Sequence, residues 1–385
     1  MEFKLPEYVI YCLDTIENDG FEAWCVGGAV RDHIMGKSPF DYDITTNAKP
    51  DDIINMFPKT VPTGLQHGTV TVVTDNGNIE ITTYRADGEY IDHRSPERVT
   101  FVSTVDADLS RRDFTMNAIC YNPKKGFYDP QNGIADIHNR IIRAIGDPNK
   151  RFSEDALRIM RAFRFSAQLG FDIEDKTKNS AISLCGLLND ISVERIYVEL
   201  KRALTSKFAR NFEPLLKCGA FKHLSMNITS LPNKFDTLPY DFALRFAYIC
   251  KEAGIDASSV LRKLKTDNLT INNTNIFLYL LNQPFPKTKI DLKVFLRHAE
   301  RFAVERLLDF YTSIGEDTKI LYEEFQNIFV FSEPYRVDML DINGNELVKL
   351  GFKGKEIGEK LDYLLELVIK DPNLNKKSKL IEKLK

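Results

Sequence analysis

The sequence predicts an α/β head followed by a long all-helical region, and three observations carry this. Short β-branched runs, "GTVTVVT", "NIEITTY" and "RVTFVST", alternate with turns and helical segments between Val26 and Ile145. After Asp147-Pro148 the apolar residues recur at helical spacing, in "SEDALRIMRAFRFSAQLGF", "ISVERIYVELKRALTS" and "LPYDFALRFAYICKEAG". A chain of 385 residues also exceeds what one hydrophobic core serves, so a body of several lobes is expected.

The composition, 43% hydrophobic and 28% charged, is that of a globular protein, and no run of about eighteen apolar residues predicts a membrane span. The N-terminus lacks the basic-then-apolar order of a secretion signal, so a cytoplasmic location is expected. Cys12, Cys25, Cys120, Cys185, Cys218 and Cys250 are scattered without a CxxC pair, and are read as reduced and mostly buried. The net charge of −3 hides an uneven distribution. Residues 140–169 hold seven Arg or Lys against three acids, residues 201–222 six against one, and residues 351–385 nine against six. Any one stretch reads as a solvated helix face, but three together point to a polyanionic partner.

Taken in order, the first element is "CVGGAVRDHIMGKSPFDYDI". Gly27-Gly28 follow the apolar strand "AWCV" and precede a helical segment, which lets backbone approach a triphosphate, although ordinary turns use the same pair. Asp41 and Asp43 stand at i and i+2, on one face of a strand, where they can share a divalent ion; an Asx-turn or a solvated edge strand is the competing reading. "TVTVVTDNGNIEITTY" reads as a hairpin turning at Asp75, Asn76 and Gly77. Within it Glu80, between Ile79 and Ile81, is a candidate third acid, because Mg²⁺ clamped between an attacking oxygen and a triphosphate needs two or three carboxylates.

"YRADGEYIDHRSPERVTF", residues 84–101, is polar and irregular between two strands. In "RRDFTMNAI", Asp113 is placed to cap the next helical turn. In "EDALR", helical spacing puts Glu154, Asp155 and Arg158 on one face, where an ordinary ion pair is the plainest explanation. Arg161 and Arg164 continue that basic stripe. "LLNQPFPKTKI" is a loop between helices, and the chain closes with a glycine-punctuated entry, a helix and a lysine-rich end.

The order of "GGAVRD", "DYDI", "RRDFTMNAI", "EDALRIMRAFRF" and "ERIYVELKRAL" resembles the class II tRNA nucleotidyltransferases, the CCA-adding enzymes of the polymerase-beta-like nucleotidyltransferase superfamily. "GNELVKLGFKGKEIGEKLDYLLELV" resembles that family's tail, while residues 225–335 match only loosely. The resemblance implies an α+β head with a small mixed or antiparallel sheet, followed by an all-α neck, body and tail. The implied boundaries are 1–140, 141–205, 206–290 and 291–385. It implies addition of CMP, CMP and AMP to the 3′ end of tRNA from CTP and ATP, with release of pyrophosphate.

The same resemblance implies that Asp41 and Asp43 hold Mg²⁺ with Glu80 beside them, and that Gly27, Gly28 and Arg31 lie near the triphosphate. Arg112, Asp113 and Asn117 are implied to contact triphosphate and ribose. Asp155 and Arg158 become an amino-acid template, with Glu154 holding Arg158. Cytosine and adenine both offer an amino donor beside a ring-nitrogen acceptor, which suits an Asp acceptor next to an Arg donor; uracil and guanine reverse the pattern. Arg161 neighbours the base, and Arg164 is read as a site residue or, by preference, a buried pair partner. Glu194, Arg195 and Glu199 buttress the template helix, and Asp32 pairs with a nearby Arg.

Residues 84–101 resemble the family's flexible loop for the final A addition, which speaks against a CC-only enzyme. Residues 129–140 resemble its hinge, with Gly133 and Asp136 in place and Asn132-Gly133 where Gly-Gly is frequent. No adjacent His-Asp pair occurs after residue 139, so a phosphohydrolase activity is not expected. Expected partners are tRNA, CTP and ATP, with no membrane and a monomer favoured. The alternatives within this chemistry are an enzyme that adds only the terminal A, or a bacterial poly(A) polymerase. An inactive tRNA-binding protein would have lost a metal acid or the template pair, and all are present.

Overall fold

The computed structural model describes residues 3–87 and 99–384. Two compact units divide the chain, Met1–Ser230 and Leu231–Lys385.

In the first unit, α1 (Glu7–Asn18) buries Val9, Cys12, Leu13 and Ile16, a helical stripe laid against the sheet. The interior strand β1 (Ala23–Val26) is buried throughout, and α2 (Gly28–Ile34) leaves it through Gly27, whose φ of 76° is a left-handed conformation that suits glycine. Next come β2 (Asp43–Thr46), α3 (Pro50–Met56), β3 (Thr60–Gly64), β4 (Thr69–Thr74) and β5 (Gly77–Thr83). The β4–β5 hairpin turns at Asp75-Asn76, as expected, and pairs Val70 with Ile81 and Val72 with Ile79 on its buried face, so that Thr71 and Glu80 oppose each other on the other. A small two-stranded sheet joins β6 (Arg85–Asp87) to β7 (Val99–Phe101); most of the loop expected over residues 84–101 lies outside the described residues.

The head continues with α4 (Val105–Ser110), β8 (Cys120–Asn122), β9 (Gly126–Tyr128) and α5 (Gly133–His138). Its seven-stranded sheet runs β3-β4-β5-β2-β1-β8-β9, antiparallel except for the parallel β2–β5 pair, which is the mixed sheet the resemblance implied. Gly133 has a steric reason: a Cβ there would stand 2.2 Å from the Thr115 carbonyl oxygen. Asp136, buried, accepts from the Thr115 hydroxyl at 2.7 Å and pairs with Arg143 at 3.0 Å.

Beyond β10 (Ile141–Ile142) lie α6 (Pro148–Glu154), α7 (Leu157–Leu169), β11 (Asp172–Ile173), α8 (Asp175–Ser183), α9 (Val193–Leu204) and α10 (Glu213–Lys217). The single helix expected across "SEDALRIMRAF" is therefore two. Asp155 leaves helical geometry (φ −134°, ψ 102°), and its carboxylate accepts from the Leu157 N–H at 3.1 Å to restart the chain as α7. The boundary expected at residue 206 falls inside the first compact unit. The Phe208 N–H donates to the Ala167 carbonyl at 3.0 Å, and Phe212 meets Phe163 edge-on and stacks with Phe221, so residues 206–230 pack on α7 as part of the first unit.

The second unit is helical: α11 (Phe242–Ala253), α12 (Ala257–Lys263), α13 (Asn268–Leu281), α14 (Lys289–His298), α15 (Arg301–Ile314), α16 (Lys319–Val330), α17 (Gly344–Lys349), α18 (Lys355–Lys370) and α19 (Lys377–Glu382). Asp241, Asp256, Asp267 and Thr288 cap α11 to α14 by accepting backbone N–H bonds. Leu347, Leu364, Leu365, Val368 and Leu380 form a fully buried terminal core. All six cysteines are free thiols, and all but the half-buried Cys218 are buried. Among the described residues no helix is long and apolar enough to cross a membrane.

Candidate active site

A cleft of about 800 Å³ opens in the first unit, bounded by the Gly27-Gly28 turn, β2, β5, the segment after α4, the α6–α7 junction and α9. Nine arginines face four carboxylates in its lining. A negative net charge is thus compatible with a strongly positive cavity, because field depends on placement.

On the cleft floor, the parallel β2–β5 register sets Asp43 directly beside Glu80 on one face of the sheet. The Asp43 carboxylate meets solvent in the cleft, yet protein surrounds most of it. Burial, then the Glu80 charge and less strongly the Asp41 charge, push its carboxyl up to about 6 against the opposing pull of Arg112. Asp41 is exposed, lies before the strand, and does not line the cleft, because the ladder with β5 begins only at Asp43. Among the described residues no three His, Cys, Asp or Glu side chains converge as a complete ion site. The mutual repulsion of the acids is nonetheless the kind a hard cation relieves, and phosphate oxygens and water are the ligands Mg²⁺ usually adds to one or two carboxylates.

The wall above is a continuous chain of charge-assisted bonds. Arg31 pairs with Asp32 at 2.8 Å and donates to Asn117 Oδ1 at 2.8 Å. Asn117 Nδ2 donates to Asp113 at 3.0 Å, and Arg161 reaches the other Asp113 oxygen at 2.6 Å. Burial alone would raise the Asp113 carboxyl; the Arg161 charge and the bonds from Asn117 and Arg161 hold it down at about 2. Arg164, buried, pairs with Glu199 at 2.8 Å and lies 3.5 Å from the centroid of Phe165, a ring that Arg31 and Arg161 also face at 5.3 Å. Burial depresses the Arg164 guanidinium to about 10 despite Glu199. Its expected pairing role holds, and it lines the cleft as well.

At the α6–α7 junction, Glu154 holds Arg158 at 3.1 Å, as expected. Arg158 also donates to the carbonyls of Arg151 at 3.3 Å and Arg111 at 3.0 Å, which leaves little freedom of aim. Asp155 does not share a helix face with Arg158, since the helix breaks there; its carboxylate pairs with Arg195 of α9 at 3.2 Å. Asp155, Arg158 and Arg195 all line the cleft, so Arg195 is a wall residue as well as a buttress. Glu199 buttresses Arg164 and, at 3.9 Å, Arg161. Glu194 sits in the first turn of α9 and does not line the cleft.

Sequence reasoning passed over Arg111, Arg85, Arg202 and Phe165, which also line the cleft, and Arg151, which ties Glu154 (2.8 Å) to the Ser110 carbonyl (2.6 Å). It also passed over Asp108, although that acid stands three and four residues before Arg111 and Arg112, a helical ion-pair spacing legible in the sequence.

Acids on a mixed sheet, a glycine turn and an arginine-rich wall define a nucleotidyltransferase. The family described as "Poly A polymerase head domain" matches residues 23–143, and "Probable RNA and SrmB- binding site of polymerase A" matches residues 170–229. A CCA-adding enzyme of Staphylococcus aureus (strain MRSA252) is 40% identical over 304 residues, covering 77% of this chain and 74% of the relative. One from Geobacillus sp. (strain WCH70) is 38% identical over 370 residues, covering 92% and 90%. The crystal structure of the Bacillus stearothermophilus CCA-adding enzyme in complex with CTP superposes with a TM-score of 0.86 at 30% identity, over 99% of this chain and 98% of that one. The chain belongs to the CCA-adding enzymes, the tRNA nucleotidyltransferases.

Proposed function

We propose that this chain adds CMP, CMP and AMP in turn to the 3′ end of tRNA, using CTP and ATP, releasing pyrophosphate and using no nucleic-acid template. What carries the reading is that the Asp43–Glu80 floor and the Asp155–Arg158 edge line one cleft. Relatives of high coverage bear the name CCA-adding enzyme, and one similar structure holds CTP. Another, from Thermotoga maritima, holds tRNA, with a likeness at 20% identity that speaks for fold alone.

Asp43 and Glu80, with Asp41 two residues before Asp43, would hold Mg²⁺. Two such ions supply a lowered pKa for the primer 3′-hydroxyl and neutralise the triphosphate. Gly27 keeps the floor open: a Cβ there would sit 3.5 Å from Arg112 and 4.0 Å from Asp43, in the space a phosphate would use. Arg31, Arg112 and Arg161 place positive charge along the triphosphate, while Asp113 and Asn117, locked by their mutual bond, present fixed acceptors to the ribose. Arg158 and Asp155 read the base edge, each held by a partner of opposite charge, Glu154 and Arg195. The basic stretches of the neck and of the 206–290 and 291–385 segments would grip tRNA by shape and phosphate contacts.

Incubation with tRNA lacking its 3′ end, Mg²⁺ and each labelled nucleotide tests this. CTP alone should give two additions, ATP should enter only after them, and UTP and GTP should stay out. Equal use of UTP and CTP would overturn the base-reading role of Asp155 and Arg158.

A further inference from the structure

We propose that Asp108 is a positioning residue for the triphosphate, the buried acid that sets the aim of Arg111 and Arg112; this rests on the cleft being the CTP and ATP site.

The Asp108 side chain is fully buried at the inner end of α4. A buried carboxylate is costly unless its lone pairs are used, and here they are. Oδ1 accepts from Arg111 Nε at 2.9 Å and Nη2 at 2.8 Å. Oδ2 accepts from Arg112 Nη2 at 3.1 Å and from the Thr45 hydroxyl at 3.2 Å, and the Arg85 N–H completes the set at 3.4 Å. The acid therefore ties together α4, the strand that carries Asp43 and the start of β6. Both arginines it grips line the cleft.

Arg112 gains most. With one arm of its fork held by Asp108, its Nη1 stands over the Gly27 turn, while its Nε is buried without a hydrogen-bond partner among the described residues. It is thus suspended between Asp108, which it neutralises, and the cleft floor. A guanidinium fixed by a rigid buried acid keeps its cleft-facing Nη1 aimed for an anion, at little entropic cost on binding. Asp108 touches no substrate group itself and acts through the arginines.

The test is steady-state kinetics of the full-length protein on tRNA lacking its 3′ end, with calorimetric binding of inorganic tripolyphosphate and of CMP. Asp108→Asn keeps the shape and removes the charge. It should raise KM for CTP and ATP and weaken tripolyphosphate binding by about 10- to 100-fold, the worth of a charged hydrogen bond, while CMP binding and KM for tRNA stay as in wild type. A purely structural role would weaken CMP and tripolyphosphate alike, or lower kcat with tripolyphosphate binding intact, and either result overturns the proposal. Should Asp108→Asn fail to fold, Asp108→Glu carries the test: keeping the charge but displacing it, it must lose tripolyphosphate affinity and keep CMP affinity, and unchanged tripolyphosphate affinity overturns the proposal. A wild-type protein that binds tripolyphosphate but never extends tRNA would overturn the functional reading instead, and the binding comparison would still decide Asp108.

Discussion

At the scale of single residues, the role proposed for the carboxylate pair on the floor is chemical, while the buried acid on the wall, Asp113, carries stability as well. Asp43→Asn and Glu80→Gln should each lower kcat for extension by about 100-fold or more, since removing charge aimed at a developing transition state costs on that order. Binding of tRNA, measured by filter retention, should not change, and a variant that extends tRNA at the wild-type rate would remove that acid from the mechanism. Asp113 behaves differently. Its folded pKa of about 2 lies below the ordinary carboxylate value. The stability its charge contributes is therefore fully present above the unfolded pKa of about 4 and is lost as pH falls from there towards 2, amounting to roughly 2 kcal/mol. Asp113→Asn should consequently show a constant stability deficit in urea unfolding between pH 5 and 8, narrowing as pH drops below 4. A deficit that grew on acidification would contradict the Arg161 pairing.

At the scale of elements, the site depends on joints more than on regular structure. Gly133→Ala places a methyl 2.2 Å from the Thr115 carbonyl. Because that neighbour is backbone, α5 must shift, at about 3 kcal/mol, read as a lower midpoint in urea. Unaltered stability would show that the α5 contact with residue 115 is not as tight as described. The joints are also where the sequence was hardest to read. Glu80 was legible because a strand alternates strictly, and Ile79 and Ile81 fix which face it takes. Gly27 was legible because only a left-handed turn needs glycine between a buried strand and a helix. The break at Asp155 was not: "EDALR" keeps perfect helical spacing, and the carboxylate that ends α6 does so by capping Leu157 and reaching Arg195, forty residues on. That Asp41 lies before β2 was not legible for a related reason, since where a strand begins is set by its partner β5 and not by its own residues. Arg85, Arg202 and Phe165 joined the cleft through tertiary packing that no local pattern announces.

At the scale of the whole molecule, a chain of net charge −3 handles a polyanion by segregating its charge. Lys376 and Lys383 are exposed near the C-terminal end, and the proposed grip of the tail on tRNA would set them against phosphate. The double variant Lys376→Glu, Lys383→Glu should raise KM for tRNA several-fold at low salt, converge with wild type as salt screens the difference, and leave KM for CTP unchanged. A change in KM for CTP instead would mean that this end serves the nucleotide site. The likeness to CCA-adding relatives along nearly the full chain separates the CCA-adding reading from a poly(A) polymerase, an enzyme that both matched family descriptions also name. The most direct test of one cleft performing both transfer and base selection is to sequence the 3′ ends of tRNA molecules extended by the purified protein with all four nucleotides and Mg²⁺. The expected product carries C, C and A in that order and then stops growing; a lone A, a long run of A, or ends containing U or G would contradict a single cleft that both transfers and selects.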